Sequence, residues 1–219
     1  MITEPDVALT DYGLALECAL FAYRIYTRGA ESHPIRNWAL LFFAATGAAA
    51  LAGGTVHGFF LDEAGRGYRI LWPATLIATG ATGLSAWAIG AKIQFSQTIA
   101  RRVTIAALLE FAGYALAVLF AAQTFLVAVV NYLPPALFLL VVLILRLARE
   151  PAPQLRIGIA GLLLTFVGAG IQQAGIALHP VYFNHNALYH LVQAVALFLI
   201  FYYFRWLTAR SRRFPDSGR

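Results

Sequence analysis

The chain has 219 residues, 60% of them apolar and only 12% charged, with a mean hydropathy of +0.71. A water-soluble domain of this length needs far more charge to cover its surface, so the composition excludes one. The formal charge of +6 is explained by membrane topology and anionic headgroups, which excludes nucleic acid as a partner, and the single Cys18 rules out an intrachain disulfide or a multi-cysteine metal site.

Seven apolar runs follow in order, roughly 11–26, 38–60, 69–91, 103–121, 124–147, 157–179 and 186–207. Each is read as a helix, because hydrocarbon about 30 Å thick offers the backbone no other partners. The prediction is therefore an all-α, integral membrane bundle of seven transmembrane helices, forming a single domain over 1–207 with a basic tail over 208–219. Residues 1–10 are acidic and lack a cleavage pattern, so the first span is expected to stay. Fourteen of the sixteen Lys and Arg lie in alternate gaps and the tail; only Arg66 and Arg69 lie on the other side. Short cytoplasmic loops retain positive charge, which puts the N-terminus outside and the C-terminus in the cytoplasm. One Lys against fifteen Arg, with abundant Ala, points to a GC-rich bacterial genome and hence a bacterial inner membrane.

Span one carries Glu17 beside Cys18. Span two ends in Gly53-Gly54-Thr55-Val56-His57-Gly58, where small residues let helices approach closely. Thr75 and Thr79 share a face of span three and are expected to bond their own helix carbonyls. A tight turn near Gln123 separates span four, with Glu110, from span five, with Asn131 and Pro134-Pro135. Glu110 is divided evenly between a functional role and a structural pairing with Arg101, Arg102 or Asn131. A double proline frees carbonyls and makes a hinge. Span six holds Gly158, Gly161, Gly168, Gly170 and Gly175, read as packing residues, and Gln172-Gln173. Span seven opens on Asn184 as its N-cap, then His185, Asn186, His190 and Gln193, and closes in Phe201-Tyr202-Tyr203-Phe204 and Trp206, read as an interfacial aromatic belt.

Depth joins these groups. Glu17, His57, Gln172, Gln173, Asn186 and His190 all fall within about 10 Å of one another along the membrane normal, in the outer third. Polar groups at that depth should face the bundle, so one cavity is expected. Asn186, His190 and Gln193 share a helical face, and Gln172, Gln173, Asn186 and Gln193 are the candidates for binding substrate. His179 and His185 include at least one histidine that merely bonds the interface.

The span number, His57 near the end of span two and the histidine pattern opening span seven resemble the alkaline-ceramidase and adiponectin-receptor superfamily. That resemblance implies a zinc held by histidines of spans two and seven. His57 takes the span-two position and His190 the second in span seven; Asn186 stands at the first, Gly53 at a serine and Asp62 at an aspartate. It implies a membrane metal-dependent hydrolase of a lipid amide or ester, with His57, His190 and His185 or Asn186 holding zinc and Glu17 or Asp62 carrying the proton. The alternatives are a non-catalytic transport or binding protein that uses the same cavity for a small polar molecule, and a haem protein with His57 and His190 as axial ligands. A retinal protein is excluded, since Lys92 is the only lysine and lies far from span seven.

Overall fold

The computed structural model describes residues 2–179 and 181–209, which form seven helices: α1 Pro5–Arg28, α2 Arg36–Phe59, α3 Arg66–Gln94, α4 Gln97–Phe120, α5 Phe125–Arg149, α6 Pro153–Gln173 and α7 His185–Ala209. Pro180 and the basic tail from residue 210 onward lie outside the described residues. Helices α2 to α7 are each long and apolar enough to cross a membrane, which puts the chain in the integral membrane class.

Two boundaries that bear on the site differ from the hydropathy reading. The first helix starts at Pro5 rather than residue 11, because proline at the first helical position needs no N–H partner and presets the backbone. Asp11 is therefore inside the helix and not its boundary. Glu17 lies twelve residues from the helix start, about 18 Å along the axis, and so runs deeper than predicted. At the other extreme, α6 ends at Gln173 and not at 179. Gly175 adopts φ +66°, and Ile176 N–H donates to the Ile171 carbonyl (3.1 Å) while Gly175 N–H donates to Gln172 (3.2 Å). This is a Schellman stop, which a glycine permits, so Gly175 is a terminator rather than a packing residue.

The helices pack as a closed ring, α1–α2–α3–α5–α6–α7 and back to α1, with α4 standing outside against α3. Ala100, Ala107, Tyr114 and Val118 form the single buried stripe of α4. The Tyr114 hydroxyl donates to the Leu76 carbonyl (2.8 Å), and its ring lies where a Cβ on Gly80 would sit. Asn131 of α5 donates to Glu110 of α4, which decides the pairing of that carboxylate. Helix α5 continues through Pro134 and Pro135 without a break.

The two ends of the ring differ. At one end Phe21 stacks on Phe201 with centroids 4.2 Å apart, and Phe204 meets Phe42 and Phe43 edge-on at 5.4 and 6.0 Å. Phe201, Tyr203 and Phe204 are buried core and only Tyr202 is exposed, so the expected aromatic belt is instead a helical stripe facing inward. Arg36 closes this aromatic end, donating to the Tyr26 carbonyl (2.8 Å) at the negative end of α1. The opposite, polar end gathers the starts of α1, α3, α5 and α7 with the ends of α2 and α6.

Candidate functional site

A cavity of about 380 Å³ opens within the ring at the polar end, and all six ring helices line it. Leu14, Phe42 and Leu197 form its floor, above the aromatic core. On its walls are His57, Gln172, Asn186 and His190 from among the residues singled out by depth, together with the candidates His185 and Gln193. Thr75 and Thr79 also line it, their hydroxyls bonded to Leu71 and Thr75 carbonyls (both 2.9 Å).

Three expected residues stand elsewhere. Glu17 does not line the cavity; it sits lower on α1, half-buried, with Oε2 enclosed and without a hydrogen-bond partner among the described residues. Asp62 lies in the exposed α2–α3 loop, where its side chain accepts from the Ala64 N–H (3.1 Å). Gln173 is exposed and donates to Gln172 (3.2 Å). The early stop of α6 is the reason: its last turn offers one glutamine to the ring and turns the next away.

Asp11 is the centre of the site, and its burial was hidden by taking it for a helix end. It is 5% exposed, and its Oδ1 stands 3.3 Å from His190 Nε2. Gly53 and Gly54 make room for it. A Cβ on Gly54 would lie 2.7 Å from the Asp11 Cβ and 3.2 Å from the Ala8 carbonyl oxygen, so any side chain there would force α1 and α2 apart. The signal available in the sequence was Glu4-Pro5-Asp6, a proline-led helix start that puts Asp11 almost two turns in.

The His190 ring is held on both sides. Its Nδ1 lies 3.0 Å from Thr10 Oγ1, and its Nε2 is turned to Asp11. The Thr10 hydroxyl is itself within reach of the Asp6 and Val7 carbonyls, at 2.8 and 3.0 Å. His57 is held by Glu4, with Nδ1 to Oε2 at 2.5 Å, and backbone bonds from Thr3 to Gly58 (3.0 Å) and Glu4 to His57 (3.2 Å) strap the N-terminal segment to the end of α2. Asp6 accepts from the Asn184 N–H (3.0 Å), joining α1 to the start of α7. Asn184 caps α7 as the spacing predicts, accepting from Asn186 (2.9 Å) and Ala187 (3.1 Å).

Gln172 donates to Asn186 Oδ1 at 3.4 Å across α6 and α7. Deeper down, Gln193 is 7% exposed; its Nε2 reaches Thr165 Oγ1 at 3.5 Å, and its Oε1 has no partner among the described residues. His179 is a loop residue whose Nδ1 accepts from the Val181 and Tyr182 N–H groups (3.2 and 3.1 Å).

The two histidines expected to hold zinc are arranged differently. Among the described residues no three His, Cys, Asp or Glu side chains stand together to hold a metal ion. Both ring nitrogens of His190 are engaged, whereas His57 bonds Nδ1 to Glu4 and so keeps the carboxylate-backed arrangement of a metal-bound histidine. Metal-bound histidine needs one nitrogen turned outward with the other bonded behind it.

Taken together these features describe an all-α integral membrane protein whose six-helix ring encloses a buried carboxylate–imidazole pair. The chain belongs to a family of unknown function, DUF6962, matched over residues 7–207. No curated protein and no solved structure matches it. The matched region includes Asp11, His57 and His190 and leaves out Glu4.

Proposed function

We propose that this is a seven-span protein of a bacterial inner membrane, with the N-terminus outside, that binds a small polar molecule in an outward-facing cavity as a non-catalytic transport or binding protein. The observation that carries the reading is a cavity lined by polar groups of several helices, closed below by packed aromatics, in which Gln193 Oε1 is enclosed without a partner among the described residues and is left to offer a ligand. Pockets of this size suit small molecules. Helix α1 supports the seventh span: Leu9, Leu16, Leu20 and Tyr23 make its exposed face apolar while Asp11 turns into the ring. The positive charge at the aromatic end supports the orientation.

Topology is tested with reporter fusions at residues 66 and 96. Activity of a cytoplasmic reporter at 96 and of an external reporter at 66 is expected, and the reverse ends the orientation. Binding is tested by thermal-shift screening of detergent-purified protein against small polar molecules. A stabilising compound whose effect disappears in Gly53→Val, which fills the space beside Asp11, supports the reading; a compound that acts equally on both proteins, or a screen with no stabilising compound, refutes it.

The metal hydrolase is the second reading, favoured by the placement of His57 and His190 around one cavity and by the resemblance to the ceramidase and adiponectin-receptor superfamily. It requires His190 to leave Asp11 or Thr10 and assigns the third ligand to Asp11 in place of His185 or Asn186. Elemental analysis after zinc supplementation decides it: stoichiometric zinc lost in Asp11→Asn supports this reading.

A further inference from the structure

The protonation of the Asp11–His190 pair follows from its surroundings. His190 Nδ1 faces Thr10 Oγ1 at 3.0 Å, and the Thr10 hydroxyl has backbone carbonyls of its own to donate to at 2.8 and 3.0 Å, which leaves its oxygen to accept. Nδ1 therefore carries a proton. On the other side, Nε2 meets Asp11 Oδ1 at 3.3 Å. An unprotonated nitrogen facing a carboxylate oxygen would be two acceptors in contact, so one more proton lies between them, on either atom. In both forms the pair has zero net charge, the cheapest state in a low-dielectric interior.

The cavity beside this pair is suited to a cation. Among the described residues no lysine or arginine lines it, whereas Trp72, Phe125, Tyr132 and Tyr189 bring aromatic rings to its wall. Asp11 Oδ2 lies 3.7 Å from where a Gly53 Cβ would be, in the space the glycine leaves open. Gln193, three residues beyond His190 on the same face of α7, holds an enclosed acceptor oxygen without a partner. Two acceptors on one cavity, one of them able to become an anion, call for a ligand rich in N–H donors.

We infer that the cavity takes a small organic ammonium, an amine with an apolar or aromatic body, in exchange for the proton shared by Asp11 and His190. This deepens the binding reading above and rests on it. The balance is simple: the ammonium brings one positive charge, the shared proton leaves through the polar end to water, and Asp11 remains as a carboxylate beside neutral His190 with its proton on Nδ1. The ammonium N–H groups then take the place of the shared proton, donating to Asp11, to His190 Nε2 and to Gln193 Oε1, and its body lies against the aromatic wall. The filled site is again neutral, which is why the exchange is one for one. The other titratable groups facing the pair are Asp6 on α1, His57 on α2 (held by Glu4), Tyr132 on α5, and His185 and Tyr189 on α7; α3 brings Thr75 and α6 brings Thr165, neither of which titrates.

The test is calorimetry of the purified full chain with phenethylammonium chloride at pH 6, in two buffers of different ionisation enthalpy. Binding with release of about one proton per cation is expected, and affinity should rise about tenfold per pH unit, the linkage for one proton exchanged. Asp11→Asn should weaken binding at least about 100-fold, the scale of a buried charge partner lost. Gly53→Val, whose Cβ meets Thr75 at an ordinary 3.5 Å, keeps a folded control in which the space is filled and binding is lost. His57→Gln should still release one proton; loss of release there would move the proton to His57 and overturn the assignment. Binding without proton release, or unchanged binding by Asp11→Asn, also overturns it. Phenethyl alcohol binding as well as the ammonium would overturn the exchange while leaving a small-molecule site in place. Silence from both probes overturns the exchange, and the wider reading is then judged by its own screen.

Discussion

At the aromatic end Phe21, Phe42, Phe43, Phe201 and Phe204 fill the axis of the ring, whereas at the polar end the same six helices leave about 380 Å³ open around Asp11 and His190. One stripe of α7 supplies both: His190 and Gln193 above, Leu197, Phe201 and Phe204 below. The difference shows where stability and function are held. Rings packed edge-on have no polar atoms to satisfy and give the ring its rigidity. The polar end keeps an acceptor unpaired and a carboxylate desolvated, which is costly to folding and useful only to a ligand.

That contrast can be broken by substitution. Phe43→Ala, fully buried among four aromatic neighbours, should cost about 3–5 kcal/mol in reversible unfolding while leaving ligand affinity in the surviving folded protein unchanged. A cost below about 1 kcal/mol would mean that the aromatic end is not the anchor. His190→Ala strands Asp11 and should cost roughly 3 kcal/mol, whereas the double replacement Asp11→Leu with His190→Leu should recover most of that loss and still bind nothing. If the double variant is as unstable as the single, the pair is structural. Gly54→Val, driven against the Asp11 Cβ at 2.7 Å, should lower stability by about 2 kcal/mol through overpacking between α1 and α2. Gln193→Met has the opposite sign. Removing an enclosed oxygen without a partner should raise stability by about 1 kcal/mol and weaken ligand binding, so a destabilised Gln193→Met would show that Oε1 is satisfied in the native protein.

The helices were legible in the amino-acid pattern because hydrocarbon allows apolar segments few alternatives, and the start of α7 was legible because Asn184 is followed by two N–H groups that need an acceptor. The grouping of His57, Gln172, Asn186 and His190 around one cavity followed from depth along parallel axes, and Gln193 from the helical face it shares with Asn186 and His190. Asp11 was missed because a charged residue at the edge of an apolar run looks like the end of a helix, although Pro5 marks the true start. Glu17 was drawn into the site by the same error, since moving the start from residue 11 to residue 5 moves Glu17 deeper. Gly175 was misread because glycine in an apolar run serves packing and termination equally, and only its backbone angle separates them.

What the amino-acid sequence by itself determined is the all-helical class, the order and approximate length of the helices, and which polar residues share a depth. Tertiary structure alone decided which helices are neighbours: that α3 meets both α4 and α5, that α4 stands outside the ring, and that Asp11 reaches His190 across 179 positions of chain. The reason is physical. Hydropathy measures transfer into an apolar medium, and lipid and protein interior are equally apolar to a leucine. Only close steric fit, such as Tyr114 over Gly80 or Asp11 against Gly54, distinguishes one neighbour from another.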